Sequence, residues 1–146
     1  MPSNTTLYDS DFFAWANEQA ALLRAGRLTE ADIENIAEEI ESMGRSEKRE
    51  LVSRLTVLFT HLLKWRHQPG LRGASWRRTI EHQRLHLTEH LADNPSLRSK
   101  LHEAIASAYS HARIEAENET GLDRATFPAS CPYAFEDAMD PNFWPE

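Results

Sequence analysis

The chain has 146 residues, which fits one domain that buries roughly two-thirds of its unfolded surface. Its hydrophobic content of 40% and charged content of 27% are ordinary for a soluble globular protein, and its formal charge of −7 argues against a general nucleic-acid binder. A single cysteine, Cys131, excludes an internal disulfide and a cysteine-rich zinc site. Since the sequence shows no secretory signal and no long apolar run, we expect a cytoplasmic protein without a membrane span.

Helical periodicity runs through the first half of the chain. A first helix begins after Asp9 or Ser10, either of which is a good cap, and ends at Gly26. A second helix begins at Thr29. Its apolar stripe consists of Ile33, Ala37, Ile40, Gly44, Leu51, Leu55, Leu58 and Leu62. Because the phase of the stripe holds across the glycine, the pattern predicts either one helix to about Trp65 or two helices with a kink.

Two further helices and an irregular tail complete the predicted architecture. Ser75 caps a third helix, and Asn94-Pro95 opens a fourth that runs to about Glu119. The tail after Gly121 is rich in proline and aromatic residues. Short connections make sequential helices antiparallel, so we predict an all-α, up-and-down bundle of about four to five helices. We expect one domain over residues 1–146, with the bundle at about 9–120 and the tail at about 121–146.

Polar residues interrupt the apolar stripes near one end of this bundle. Antiparallel packing brings together the end of the second helix, the start of the third and the end of the fourth. The residues expected there are His61, Lys64, Trp65, Trp76, Arg77, Arg78, Arg84, Glu115 and Glu119. In a structural interpretation, Glu115 and Glu119 are partly buried and Arg84 is their cationic partner. In a functional interpretation, Glu115, Glu119 and His61 are metal ligands or acid–base groups in a pocket.

Three histidines, His82, His86 and His90, lie one turn apart on the third helix. Two histidines at i and i+4 can share a metal ion, but three at this spacing are more typical of a solvated stripe. Carboxylate-bridged metal bundles carry Glu-x-x-His pairs, and neither Glu115 nor Glu119 begins one. We therefore predict no metal and no cofactor, with these histidines as the remaining candidates.

Residues 51–80 form a positive island, which holds six basic and no acidic residues. The basic residues before Pro69 fall at a helix C-terminus, where the helix dipole favours positive charge. Arg77 and Arg78 instead lie in the first turn of a helix, which favours anions. A negative group is therefore expected to face them. It is either internal, with Glu115 and Glu119 as the first choice, or an external phosphate, nucleic-acid backbone or acidic partner.

Six strings of the sequence carry a family resemblance. They are LYDSDFFAWANEQAALLRAG, ENIAEEIESMGRSEKRELVSRL, HLLKW, SWRRTI, ETGL and FPASCPY. From about Leu7 to Trp144, the chain resembles the bacterial domain-of-unknown-function family 29. The resemblance implies a compact all-helical bacterial domain, common in cyanobacteria and also found in proteobacteria, with no established activity. It supplies no catalytic or binding residues.

These observations favour a small bacterial helical protein that binds another protein and has no chemistry of its own. An RNA- or phosphate-binding module is the alternative, in which the 64–78 region supplies tryptophans that stack on bases and arginines that hold phosphates. A metal-dependent enzyme at the bundle end is the second alternative. The sequence does not fix the oligomeric state.

Overall fold

A computed structural model describes residues 4–146, with side chains from residue 7 onward. Its helices are α1 (Asn4–Ser10), α2 (Phe12–Arg24), α3 (Ile33–His67), α4 (Ala74–Asp93), α5 (Leu101–Thr120) and α6 (Phe135–Met139). The described residues contain no strand, so the predicted all-α fold is confirmed. None of the described helices is long and apolar enough to cross a membrane.

The chain divides into two compact units, Met1–Ser46 and Glu47–Glu146. The first unit contains α1, α2 and the N-terminal part of α3, and the second contains the rest of the chain. The expected single domain, with its bundle at about 9–120 and its tail at about 121–146, stays a prediction.

The first helical boundary differs from the predicted one. The cap of α2 is Asp11, whose carboxylate accepts a hydrogen bond of 3.0 Å from the backbone N–H of Ala14. Asp9 and Ser10, the predicted caps, belong instead to the separate helix α1. Gly26, with a φ of +73°, follows the end of α2 in the left-handed conformation expected of a terminating glycine.

The long helix α3 begins at Ile33, and the predicted start at Thr29 is wrong because Leu28–Glu30 form a 3-10 turn. Asp32 precedes the helix and accepts a hydrogen bond of 2.8 Å from the Asn35 side chain. Its carboxylate also accepts a bond of 3.1 Å from the indole of Trp15, which ties the helix start to α2. The helix then continues without a break through Gly44, so the single-helix alternative is confirmed.

The core of the second unit lies between the C-terminal part of α3 and the helices α4 and α5. Its fully buried members from α3 and α4 are Leu51, Leu55, Leu58, Phe59, Leu62, Leu63, Ile80 and Leu87. The helix α5 faces this core with small residues, namely Ala104, Ala108, Ala112 and Ala116. Since these side chains end at Cβ, they leave room for the large residues of α3.

Two other helix starts were predicted a few residues away from their observed positions. The cap of α4 is Gly73 rather than Ser75. Asn94-Pro95 opens a 3-10 segment, Pro95–Lys100, and α5 begins only at Leu101. The tail contains the short helix α6, and its residues Phe127, Tyr133 and Ala138 are buried.

The unbroken course of α3 makes a prediction for Gly44. An added Cβ at this position meets nothing within 4 Å, so Gly44→Ala should raise the free energy of unfolding by about 1 kcal/mol. The control is Gly121→Ala, where φ is +75° and a side chain is strained, so the free energy of unfolding should fall by about 1–2 kcal/mol. Urea denaturation measures both. A loss of stability in Gly44→Ala would contradict the open surroundings of the glycine.

Candidate functional site

The predicted polar cluster forms where α3 ends, α4 begins and α5 ends. Lys64 Nζ lies 3.7 Å from Glu119 Oε2 and 4.8 Å from the ring centroid of Trp76. The guanidinium carbon of Arg77 lies 5.4 Å from the ring centroid of Trp65. The end of α3, the start of α4 and the end of α5 are therefore in contact, as antiparallel packing of consecutive helices requires.

Arg77 does not face the glutamates proposed for it. Its guanidinium carbon lies 4.4 Å from the ring centroid of Trp144, so that it contacts the faces of two tryptophans. A cation over an indole face is attracted by the negative face of the ring quadrupole. The two indole rings here take the place of the expected carboxylate partner. Arg78 is exposed and bonds the backbone of its own helix, with its Nε 3.3 Å from the oxygen of Ala74.

The proposed pairing of Arg84 with Glu115 or Glu119 is also absent. Arg84 is 5% exposed and donates hydrogen bonds of 2.7 Å to the backbone oxygens of Ala138 and Phe143. Both glutamates are instead exposed, because Ala116 and not Glu115 continues the buried line of α5. Burial lowers the pKa of Arg84, but a guanidinium remains ionised in proteins.

The C-terminal tail supplies hydrogen-bond acceptors to two arginines of the positive island. Arg72 donates bonds to the backbone oxygens of Trp65, at 2.6 Å, and Pro145, at 3.3 Å. Arg66 donates a hydrogen bond to the backbone oxygen of Glu146, the residue after Pro145. The ring of Trp65 is 7% exposed and packs against Trp144 at 4.6 Å between centroids. Of the groups proposed for RNA binding, Trp65, Arg72 and Arg77 thus contact the tail, whereas Arg78 is exposed, and RNA binding itself stays a prediction.

A cavity of about 470 Å³ lies between α3 and α5 beside the polar cluster. Its lining residues are Val52, Ser53, Thr56, Val57, Thr60, His61, His111, Glu115 and Glu119. Nδ1 of His61 lies 2.9 Å from the backbone oxygen of Val57. Since a carbonyl only accepts, Nδ1 carries the hydrogen and Nε2 is left as an acceptor. The cavity therefore combines a histidine acceptor with two carboxylates, which suits a small ligand bearing hydrogen-bond donors.

The three histidines of α4 do not face a common point. The rings of His82 and His86 lie 4.1 Å apart between centroids and are at least partly exposed, whereas His90 is buried. Within residues 7–146, one group of three side chains has the spacing of metal ligands, and it consists of Glu47, Glu50 and His90. Neither glutamate was among the residues that the sequence pattern indicated. The available signal was Glu47, which lies on the apolar line of α3 one turn before Leu51.

The first unit has a different feature, an exposed apolar face on α3. We define the α3 apolar face as Ile33, Ala37, Ile40 and Met43, all of which are exposed. More than half of the surface of Ile33, Ile40 and Met43 is accessible, at 53%, 59% and 62%. Leu51 and Leu55 continue the same stripe in the second unit and are fully buried. The apolar stripe has the same spacing in the N-terminal and C-terminal halves of α3, so the spacing did not reveal which half is buried.

Acidic residues border the α3 apolar face. Glu34 and Glu41 lie on one side of it at 100° per residue and are exposed, and Glu38 lies farther round the helix. Arg45 lies nearby and pairs with Glu38 at 2.8 Å. The first unit as a whole has nine acidic and three basic residues, a formal charge of −6 out of the total of −7. The α3 apolar face is thus an apolar surface within a strongly acidic unit.

The burial of His61 links the stability of the protein to pH. Burial lowers the pKa of His61 below its usual 6.5, the Val57 carbonyl opposes the shift, Lys64 adds to it and Glu119 opposes it. Below this value the unfolded chain binds more protons at His61 than the folded chain, so the free energy of unfolding falls as the pH drops. His61→Gln should make this fall shallower between about pH 7.5 and pH 5, measured by urea denaturation. An unchanged pH slope would contradict the assignment.

The contacts of Arg84 predict that it holds the tail in place. Arg84→Ala removes two charge-assisted hydrogen bonds, so the free energy of unfolding should fall by about 2–4 kcal/mol. Arg78→Ala is the matched control on the same helix and should change stability by less than about 0.5 kcal/mol because the side chain is exposed. Thermal and urea denaturation measure both variants. Equal effects of the two substitutions would show that Arg84 has no special role.

Comparison with known proteins adds a family but no activity. Neither a curated protein nor a solved structure matches the chain. The family described as "Domain of unknown function DUF29" matches residues 7–144, which is nearly the full length. The resemblance predicted from the six strings is therefore confirmed, and the chain belongs to the DUF29 family.

Proposed function

We propose that this protein is a non-catalytic protein-interaction module of the bacterial cytoplasm that binds its partner through the α3 apolar face. The observation that carries the proposal is the exposure of Ile33, Ile40 and Met43 on a stripe that is fully buried farther along the same helix. Seven of the ten large apolar side chains that are exposed among the described residues belong to the first unit.

Burial of this face supplies the free energy of binding. An exposed isoleucine or methionine that becomes covered contributes about 1.5–3 kcal/mol each before the costs of association. Three such residues on one face of a rigid helix are a suitable anchor for a partner, because the helix is already ordered before binding. Isolated exposed apolar residues need no explanation, but a contiguous row on one face does.

The charge around the face defines the chemistry of the partner. Since the first unit has a formal charge of −6 and Glu34 and Glu41 border the face, the partner surface is apolar with a basic rim. An amphipathic helix with lysines or arginines on its flanks fits both requirements, with apolar anchors at spacings of three and four. The charges accelerate association and select against acidic partners.

Site-specific photo-crosslinking in the cell of origin identifies the partner. A photoreactive phenylalanine analogue replaces Met43, and the control carries it at Leu85, an exposed apolar position of the second unit. We expect a crosslinked protein at Met43 that is absent at Leu85 and that contains a basic amphipathic segment. No specific product at Met43, or a product that is a second copy of this chain, would overturn the proposal.

Binding of the purified partner then tests the face directly. Ile40→Glu should weaken binding by about tenfold or more, because it places a charge among apolar contacts. Leu85→Glu makes the same change on the second unit and should leave the affinity unchanged. The affinity for the wild-type chain should also fall as salt concentration rises. Equal affinities of wild type and Ile40→Glu, measured by calorimetry, would exclude this face as the binding surface.

A further inference from the structure

A buried histidine of α4 meets two glutamates of α3 within the second unit. His90 lies in the last turn of α4, and its side chain is 6% exposed because Leu87 and Leu91 hold this part of the helix in the core. Its Nδ1 lies 2.7 Å from Glu50 Oε2 and 3.7 Å from Glu47 Oε2. The three side chains thus converge on one point.

The other nitrogen of this ring is fixed by the backbone. Nε2 of His90 lies 2.8 Å from the backbone oxygen of Glu47. The Glu47 carbonyl and the Glu50 carboxylate both accept, so both ring nitrogens donate here; an ion that takes the place of the Nδ1 hydrogen leaves the Nε2 bond to the carbonyl intact. Histidines that bind metals are held in this way, with the far nitrogen donating to a carbonyl or carboxylate.

The two glutamates have the spacing and exposure needed to complete a site. Glu47 and Glu50 are three residues apart on α3, so their side chains lie on neighbouring positions of one face. The three ligand atoms lie within 4.8 Å of one another. The glutamate side chains are 50% and 45% exposed, so an ion can reach them from solvent and they can adjust around it.

The nearby cations leave the site negatively charged. Arg54 Nε lies 3.7 Å from Glu50 Oε2, and both side chains are partly exposed. Lys48, beside Glu47 in the sequence, is paired with Glu103 at 2.9 Å. Once an ion replaces the Nδ1 hydrogen, the two carboxylates and the neutral imidazole offer it a ligand charge of −2, which Arg54 beside Glu50 offsets in part.

We propose that Glu47, Glu50 and His90 bind a divalent transition-metal ion of the zinc type and thereby link α3 to α4. One imidazole nitrogen and two carboxylate oxygens suit Zn²⁺ or Co²⁺, whereas Mg²⁺ and Ca²⁺ prefer sites made of oxygen alone. Three protein ligands leave a fourth position for water or for a group from a partner. The present Nδ1 to Glu50 distance is that of a hydrogen bond, so the exposed Glu50 side chain moves outward as the ion enters.

Metal titration of the full chain, purified without a polyhistidine tag and treated with a chelator, tests the proposal. We expect one Zn²⁺ per chain by calorimetry, visible absorbance with Co²⁺, and a rise in the melting temperature with Zn²⁺ because binding favours the folded state. A variant with both Glu47→Gln and Glu50→Gln should lose all three responses. Its exposed positions let it fold, which circular dichroism verifies.

A matched control separates this site from the other histidines of α4. A variant with both His82→Gln and His86→Gln should bind Zn²⁺ as the wild type does, since neither ring faces the glutamates. The proposal is overturned if the wild type binds no Zn²⁺, or if Mg²⁺ at equal concentration displaces it. Zn²⁺ binding that survives the glutamate substitutions but is lost with His82 and His86 would also overturn it, since it would place the ion on the exposed rings.

Discussion

The second unit depends on a buried guanidinium whose hydrogen bonds go to backbone carbonyl oxygens. Arg84 contacts the core of the bundle and donates to two carbonyl oxygens of the tail, while Trp144 lies 5.1 Å from its guanidinium carbon. A buried cation without such partners would be strongly unfavourable, so the tail has to return to α4. Arg72 and Arg66 bind the last residues of the same tail. Three basic residues of the positive island, Arg66, Arg72 and Arg77, are therefore bound by the tail of the same chain.

The helix α3 serves the two units in different ways with one sequence pattern. In the second unit its apolar stripe is the centre of the core, and in the first unit the same stripe is exposed and bordered by acidic residues. The exposed part is the basis of the proposed interaction. The metal site proposed at Glu47, Glu50 and His90 begins with the first residue of the second unit. The two proposals rest on different residues, so the failure of one leaves the other intact.

Membership of the DUF29 family covers residues 7–144 and agrees with the all-helical fold. The family description gives no activity for the chain. The cavity beside His61 has acidic and histidine groups that could contact a small ligand, yet its glutamates are exposed and its histidine is held by a backbone carbonyl. The proposed function rests instead on the α3 apolar face, a contiguous exposed apolar row of the kind that marks interaction surfaces.

The sequence by itself determined the helical fold, the C-terminal end of α3, and the meeting of Lys64, Trp76 and Glu119, because periodicity and short turns fix these features locally. Caps such as Asp11 and Asp32 were displaced by a few residues because several adjacent side chains can cap equally well. Only the tertiary structure decided which cation meets which acceptor. The tail that satisfies Arg84 lies 54 and 59 residues away in the chain, and carbonyl oxygens carry no sequence signal. The tertiary structure alone also showed which half of the α3 stripe is buried. Burial depends on which other helices pack against the stripe, and the periodic pattern does not specify them.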